Sequence, residues 1–327
     1  MKPAASVHDA AQRIARGDVV AFPTETVYGL GARADDDAAV AKVYAMKGRP
    51  ADHPLIVHVA DAQGVAAFAA DVPEAAQRLI KACWPGPVTL ILKRREGIAS
   101  AAAAGQATIG LRCPSHPVAQ ALLREAARLG VPGIAGPSAN RFGRVSPTTA
   151  EHVASEFADD DLMVLDGGAC EVGIESAIVD FTRARYALLR PGARSIDELR
   201  RAAGAWIDAS PGDDAPRAAG TLEAHYAPKA KLRLMDSKML ASAVEVIAGV
   251  GVPGLALYSR SLRRPVRGLI VRPMPASAAA VAHELYAVLR ELDAAGATLI
   301  WVEQPPDDAE WDGVRDRLQR ASSSSSA

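Results

Sequence analysis

Residues 22–32 read FPTETVYGLGA. They follow Val19-Val20-Ala21, an apolar run of strand character, and set Thr24, Glu25, Thr26 and Tyr28 ahead of a Gly-Leu-Gly. A plain turn would need none of those side chains. Two hydroxyls, a carboxylate and a phenol at a strand end point to a polar neighbour, which the rest of the chain has to supply.

Outward from this stretch, short strand-like runs alternate with helix-like ones. VVAF, LIVHV, PVTLIL, TIGLR, GIAG, MVLDG, SAIVDF and YALLR are the strand candidates. AQRIARG, AAVAKVYAMKG, PEAAQRLIKACW and HPVAQALLREAARLG read as helices. Many strands for few helices imply a mixed sheet with helices on it. Pro, Gly and Asp then accumulate over IDASPGDDAPRAAGTLEAHYAPK, residues 207–229, as they do in linkers. The expected organisation is a domain over 1–206, a linker over 207–229, a second domain over 230–321 and a disordered tail over 322–327. In the second domain KLRLM, GLALYS, GLIVRP and ATLIWVE alternate with helical segments, and Val281, Leu285, Val288, Leu289 and Leu292 form one apolar stripe. A small Rossmann-like α/β domain follows. It lacks a G-x-G-x-x-G after a strand, so dinucleotide binding is not indicated.

Composition narrows the class. A chain of 327 residues with 49% apolar and 23% charged side chains has material for two cores. The 37 basic and 38 acidic side chains leave a net charge of −1, which gives a polyanion no long-range attraction. Cys83, Cys113 and Cys170 are odd in number and far apart, so neither a disulfide framework nor a structural zinc site is supported, and a reducing cytoplasm fits. No segment approaches the ~20 apolar residues of a membrane span, and the N-terminus lacks a signal core.

Chemistry-bearing groups recur at strand ends. Lys47 and Arg49 flank the Gly48 at which a helix stops, a pattern that also suits cations against a helix dipole. His58 falls mid-strand on the face of Ile56, opposite Leu55, Val57 and Val59; a lone strand histidine is also commonly a core residue. Thr108 and Arg112, Ser138 and Asn140, Ser146, Glu175 with Ser176, and Arg190 follow at other strand ends, although Ser146 before Pro147 also reads as a helix N-cap. Walker, zincin and nucleophile-elbow motifs are missing, as is a catalytic-looking carboxylate pair. Hydroxyls, amides and cations suit an anionic substrate rich in oxygen.

FPTETVYGLGA, KGRPADHPLIVHV, WPGPVTLIL, GLRCPSHP, PSANRFGRVSPTTA, GIESAIVD and LRPG, in that order, resemble the threonylcarbamoyl-AMP synthase (YrdC-like) family. GTLEAHYAP and the C-terminal ELYAVLREL and VRDRLQRA resemble its long two-domain form. The resemblance implies a YrdC-like α/β fold: a mixed, twisted sheet with helices and a concave active site, plus the smaller Rossmann-like domain. It implies that L-threonine, bicarbonate or CO2, and ATP give threonylcarbamoyl-AMP and pyrophosphate. That product leads to N6-threonylcarbamoyladenosine at position 37 of tRNAs reading ANN codons, through the tRNA threonylcarbamoyl-transferase machinery. By the same resemblance Thr26, His58, Arg112, Ser138 and Ser176 hold threonine, and Thr24 to Tyr28 line the cavity. Lys47, Arg49, His53, Thr108, Asn140, Ser146, Arg190 and Tyr226 hold ATP, with Lys47 and Arg49 catalytic and Mg2+ bound through the phosphates. GTLEAHYAP is a candidate lid. The chain departs from the family pattern at Ala177, Ala219 and Asp316.

Two other readings compete. Carbamoyl transfer of the hydrogenase-maturation kind uses a similar domain but needs zinc-cysteine modules that three scattered cysteines cannot supply. A non-catalytic RNA-binding role is opposed by neutral charge and scarce aromatics. Arg260, Arg263, Arg264 and Arg267 form a basic cluster that reads as a solvated loop, so neither stable direct tRNA binding nor a membrane partner is expected.

Overall fold

The computed structural model describes residues 5–222, 225–247 and 250–323. The chain divides into two compact units. One comprises the chain up to Phe142 with Ser146–Thr221, the other Gly143–Val145 with the chain from Leu222 onward.

In the first unit the strands are β1 (Val20–Phe22), β2 (Gly29–Arg33), β3 (Ile56–His58), β4 (Val88–Lys93), β5 (Thr108–Arg112), β6 (Ile134–Ala135), β7 (Met163–Val164), β8 (Ala177–Asp180), β9 (Tyr186–Arg190) and β10 (Ile207–Asp208). The helices are α1 (Val7–Ala15), α2 (Asp37–Lys47), α3 (Glu74–Cys83), α4 (Pro117–Arg128), α5 (Ala150–Glu156) and α6 (Ile196–Ala203). The strands form one mixed sheet in the order β10-β9-β8-β4-β5-β3-β6-β2-β1-β7. β3 runs parallel to β5, β4 antiparallel to β5, and β8 parallel to β4.

Alternation along these strands sorts side chains onto two faces. Val57, Leu90, Leu111 and Val179 lie in one buried core with Leu79 and Ile80 of α3 and Leu199 of α6. The opposite face is covered in two places. At the β1–β6 end, Phe22 and Ile134 pack under Ile14 of α1 and Leu122 of α4. At the other end, Ile56, Ile91, Ile178 and Leu189 pack with Ala215, Ala218 and Ala219. His58 and Arg112 stand at the ends of β3 and β5 on this second face, one alternation beyond Ile56 and Gly110.

Three elements depart from the sequence expectation. β2 passes through Gly-Leu-Gly, which reads as a turn. A Cβ on Gly31 would come within 2.6 Å of Ile134 Cγ2 and 2.7 Å of Phe22 Cε1, so close packing selects glycine inside a strand. The N-cap assigned to Ser146 belongs to Thr149, whose side chain accepts from His152 N at the start of α5. The linker is not a free span. Ile207–Asp208 pairs with β9, and the Gln106 side chain clamps Arg217, donating to its carbonyl at 3.1 Å and accepting from its N–H at 3.0 Å.

The second unit contains β11 (Lys231–Met235), β12 (Leu255–Ser259), β13 (Ile270–Pro273) and β14 (Leu299–Glu303), with α7 (Ser237–Ile247), α8 (Ala278–Ala294) and α9 (Asp312–Ser323). Its sheet is parallel throughout, in the order β11-β14-β12-β13. The expected stripe Val281, Leu285, Val288, Leu289 and Leu292 is buried on α8. Ser322 and Ser323 complete the last turn of α9 and so are helical, which corrects the disordered tail there; residues 324–327 lie outside the described ones. Arg260 also departs from a solvated loop, because it pairs with Glu303 at 3.1 Å, whereas Arg263, Arg264 and Arg267 are exposed. Glu223 and Ala224 of the candidate lid lie outside the described residues.

Candidate functional site

The sheet register lines up one row of polar side chains. His58 pairs with Arg112 across β3 and β5. Leu90 pairs with Leu111, so Thr89 stands opposite Arg112; Thr89 in turn pairs with Ile178, and Ile178 with Arg190. Ser176 precedes β8 on the face of Ile178, and its hydroxyl lies 2.8 Å from that of Thr89. Arg190 donates to the Ser176 carbonyl at 3.1 Å and to its hydroxyl at 3.3 Å. All of these side chains are buried. Such a concentration of cations and hydroxyls inside a sheet is costly unless partnered, and partners are the telling feature.

Arg112 stands in the row between His58 and Thr89. Its Nη1 donates to Thr26 Oγ1 at 2.9 Å, and its Nη2 lies 2.7 Å from Glu25 Oε1. The ion pair lacks the alignment of a hydrogen bond, and neither Nε nor Nη2 makes one. A buried guanidinium thus keeps donor capacity for a planar, two-oxygen acceptor. The quoted stretch explains how its neighbour is held. Thr24 Oγ1 donates to Val27 O at 2.6 Å, so the 2.9 Å contact between Thr24 and Thr26 carries the Thr26 proton toward Thr24. Thr26 is left to accept. Tyr28, expected at the cavity, instead lies in the helix-covered core and donates to Gly168 O at 2.9 Å. Burial drives its phenol pKa upward.

His58 is buried with its Nδ1 3.3 Å from Ile134 O and its ring edge-on to Phe22, centroids 5.6 Å apart. Desolvation, reinforced by Arg112, lowers its pKa from 6.5 to about 3. The imidazole is therefore neutral at physiological pH; Nδ1–H donates to the carbonyl and Nε2 keeps its lone pair.

Lys47 ends α2, where Gly48 adopts φ 62° as the left-handed cap. Its ammonium does not bond the carbonyls of its own helix but those of Ser138, at 2.6 Å, and Asn140. Burial and the neighbouring Arg49 hold its pKa well below the ordinary lysine value. Arg49 donates to Pro54 O at 3.2 Å and to His53 O at 3.4 Å, and faces the Phe142 ring at 5.8 Å. Desolvation and Arg49 also lower the His53 pKa. Asn140 Nδ2 donates to Arg141 O at 2.6 Å, and Ser146 Oγ donates to Glu175 Oε1 at 2.6 Å.

The expected residues do not all converge on one point. Thr108 begins β5 and Arg112 ends it, on one face but about 13 Å apart at the rise of a strand. His53 precedes β3, as Thr108 begins the parallel β5, so these two stand at the strand starts while His58 and Arg112 stand at the ends. Tyr226 lies in the second unit, buried, with φ 62°; its ring faces Tyr286 at 5.7 Å and Arg317 at 5.4 Å. Among the described residues no three His, Cys, Asp and Glu side chains group as a metal cluster. Sequence reasoning missed Thr89, gave Glu25 only a place in the cavity lining and gave Glu175 no role. The signal for Thr89 was one hydroxyl within PVTLIL, on the alternate that carries Ile91.

A mixed sheet with a buried row of cations and hydroxyls, followed by a parallel α/β unit, defines a two-unit α/β protein. The Sua5/YciO/YrdC family model, described as telomere recombination, matches residues 12–192, and the model of the threonylcarbamoyl-AMP synthase C-terminal domain matches residues 193–323. A Pyrococcus abyssi protein named threonylcarbamoyl-AMP synthase is 36% identical over 328 residues, 96% of this chain and 93% of its own. A Schizosaccharomyces pombe protein of the same name is 32% identical, over 93% of this chain and 85% of its own. The crystal structure of P. abyssi Sua5 complexed with L-threonine matches with a TM-score of 0.85 at 33% identity, covering 98% of this chain and 94% of that one. The chain belongs to the Sua5/YciO/YrdC family, in its two-domain form, and is an enzyme of the nucleotidyltransferase type.

Proposed function

We propose that this chain is an L-threonylcarbamoyladenylate synthase, making threonylcarbamoyl-AMP and pyrophosphate from L-threonine, bicarbonate or CO2, and ATP. The observation that carries the proposal is Arg112: a buried guanidinium with unspent donors, flanked in register by His58 and the Thr89–Ser176 hydroxyls. It suits an amino-acid carboxylate. The relatives' name and the threonine-bound P. abyssi structure point the same way.

In this reading Arg112 and Ser176 hold the threonine carboxylate, and Thr26, Ser138 and neutral His58 take the amine and hydroxyl side. A neutral acceptor at His58 does not add positive charge beside an amine that must lose its protons. The neutral amine nitrogen attacks the carbon of CO2, a C=O π pair moves onto oxygen, and the displaced N–H proton passes to solvent, leaving a carbamate. A carbamate oxygen then attacks the α-phosphorus of ATP, the bond to the β-phosphate oxygen breaks, and pyrophosphate leaves with its electron pair. Lys47 and Arg49 meet the phosphates and are the proposed catalytic cations; the depressed Lys47 pKa would rise once phosphate charge replaces a dry surrounding. His53, Thr108, Asn140, Ser146 and Arg190 would extend the ATP set; Thr108 lies roughly 13 Å along β5 from Arg112, a span that suits an elongated nucleotide. Tyr226 enters this set on the family resemblance alone. Mg2+, held by phosphate oxygens, would supply charge neutralisation. The product would pass to the tRNA threonylcarbamoyl-transferase machinery in the cytoplasm, serving tRNAs that read ANN codons.

The test is pyrophosphate release with ATP, Mg2+, bicarbonate and L-threonine. Release should require threonine; equal release without it would leave a generic ATP hydrolase.

A further inference from the structure

Thr89 is buried to 0% exposure at the second position of β4, a strand whose other positions from Val88 to Leu92 are apolar. An apolar side chain is the ordinary occupant of so buried a strand position, so the hydroxyl needs a reason. Its position supplies one. The register sets Thr89 opposite Arg112 on one side and beside Ile178 on the other, and its Oγ1 lies 2.8 Å from Ser176 Oγ.

Proton counting sharpens this. Ser176 Oγ accepts from Arg190 Nη2 at 3.3 Å. Between Thr89 and Ser176 there are two hydroxyl protons, and only one can lie in their mutual hydrogen bond. If Thr89 donates, the Ser176 proton is available to a ligand; if Ser176 donates, the Thr89 proton is. Either way the pair presents one unspent proton in the sheet row between Arg112 and Arg190. A carboxylate oxygen is the acceptor that such a proton beside a guanidinium fits.

We infer that Thr89 is a positioning residue of the amino-acid site, acting with Ser176 as a single hydroxyl unit that holds the carboxylate against Arg112. The inference rests on the reading of this site as the threonine site. Thr89 does not act on the phosphates, and its loss leaves the nucleotide cations in place.

The experiment measures threonine-dependent pyrophosphate release and calorimetric L-threonine binding for wild type, Thr89→Val, Thr89→Ser, Thr89→Ala, Ser176→Ala and the Thr89→Val/Ser176→Ala double variant. Thr89→Val should raise the threonine KM and Kd about tenfold or more, the worth of a hydrogen bond to a charged group, while kcat and the ATP KM stay within about twofold. Thr89→Ser should recover the wild-type KM to within about twofold. The double variant should bind threonine no worse than Ser176→Ala to within about twofold, because the pair is one unit. An unchanged threonine KM in Thr89→Val, or a fully additive double variant, overturns the inference. Should Thr89→Val lose its native circular dichroism, Thr89→Ala gives the same reading, since it removes the hydroxyl without adding volume. Failure of the wild type to respond to threonine would instead sink the assigned function.

Discussion

At the ends of β12 and β14, Glu303 Oε2 accepts from Ser259 Oγ at 2.6 Å, Ser261 N at 2.8 Å, Ser261 Oγ at 2.8 Å and Arg260 N at 2.9 Å, while Oε1 takes Arg260 Nη2 at 3.1 Å. At the ends of β3 and β5, Arg112 spends one nitrogen on Thr26 and keeps Nε and Nη2 without a hydrogen bond. Both are buried polar clusters at the carboxyl ends of adjacent parallel strands. The first is closed: the chain's own carboxylate fills the concavity of N–H and O–H donors in which an anion would sit. Burial alone would raise the Glu303 pKa, but the hydrogen bonds from Ser259, Ser261 and Arg260 outweigh it and hold the carboxyl below its ordinary value. The second cluster also holds a carboxylate, Glu25, 2.7 Å from Arg112 Nη2, but without the alignment of a hydrogen bond, so Nε and Nη2 stay open to a further acceptor. What separates a structural polar cluster from a ligand site is thus unspent hydrogen-bonding valence, not burial or charge.

The sharpest attack on that contrast is Arg112→Ala. It should lower kcat/KM for threonine by about two orders of magnitude or more, chiefly through KM, and leave ATP binding within about twofold. A larger loss of ATP than of threonine binding, by calorimetry, would reverse the roles. Next in size, Glu25→Ala strands the Arg112 charge and should cost roughly 3–5 kcal/mol of stability in denaturant titration. Glu303→Ala leaves Arg260 N and Ser261 N unsatisfied and should cost about 1–3 kcal/mol, with the threonine Kd unchanged. Equal effects of both glutamates on threonine affinity would erase the distinction between open and closed.

Histidine 58 sharpens the comparison through pH. Its folded pKa of about 3 lies below the ordinary 6.5, so the unfolded chain binds the proton first as pH falls. Stability should therefore be full above about 6.5 and decline toward about 3, and His58→Asn should show a shallower decline in urea midpoint over that window. The smallest effect is expected at the exposed Arg263 and Arg264, where alanine should change stability by less than about 0.5 kcal/mol and leave turnover unaltered.

Much of this was legible in the chain. The strand runs LIVHV, PVTLIL and TIGLR appear as β3, β4 and β5, and the alternation that set His58 apart from Val57 is the alternation that puts it on the opposite sheet face from the core of α3 and α6. β2 was hidden because its glycines answer to Phe22 and Ile134, neighbours that strand propensity does not contain. α6 carried a signal that was passed over: Ser195 and Glu198 form a capping box, a pattern written plainly in the sequence. Within the site, residue types marked the cations, but pairing across the sheet decides which hydroxyl meets which guanidinium. Thr89 therefore surfaced only once β4 was seen between β5 and β8. Thr108 illustrates the converse, since nearness in sequence to Arg112 becomes distance along an extended strand.

A crystal structure of this chain with L-threonine and a non-hydrolysable ATP analogue tests the central claim most directly. The threonine carboxylate should lie on Arg112 Nε and Nη2 beside the Thr89–Ser176 pair, with the triphosphate reached by Lys47 and Arg49. Threonine bound away from Arg112, or phosphates turned away from Lys47, would contradict it.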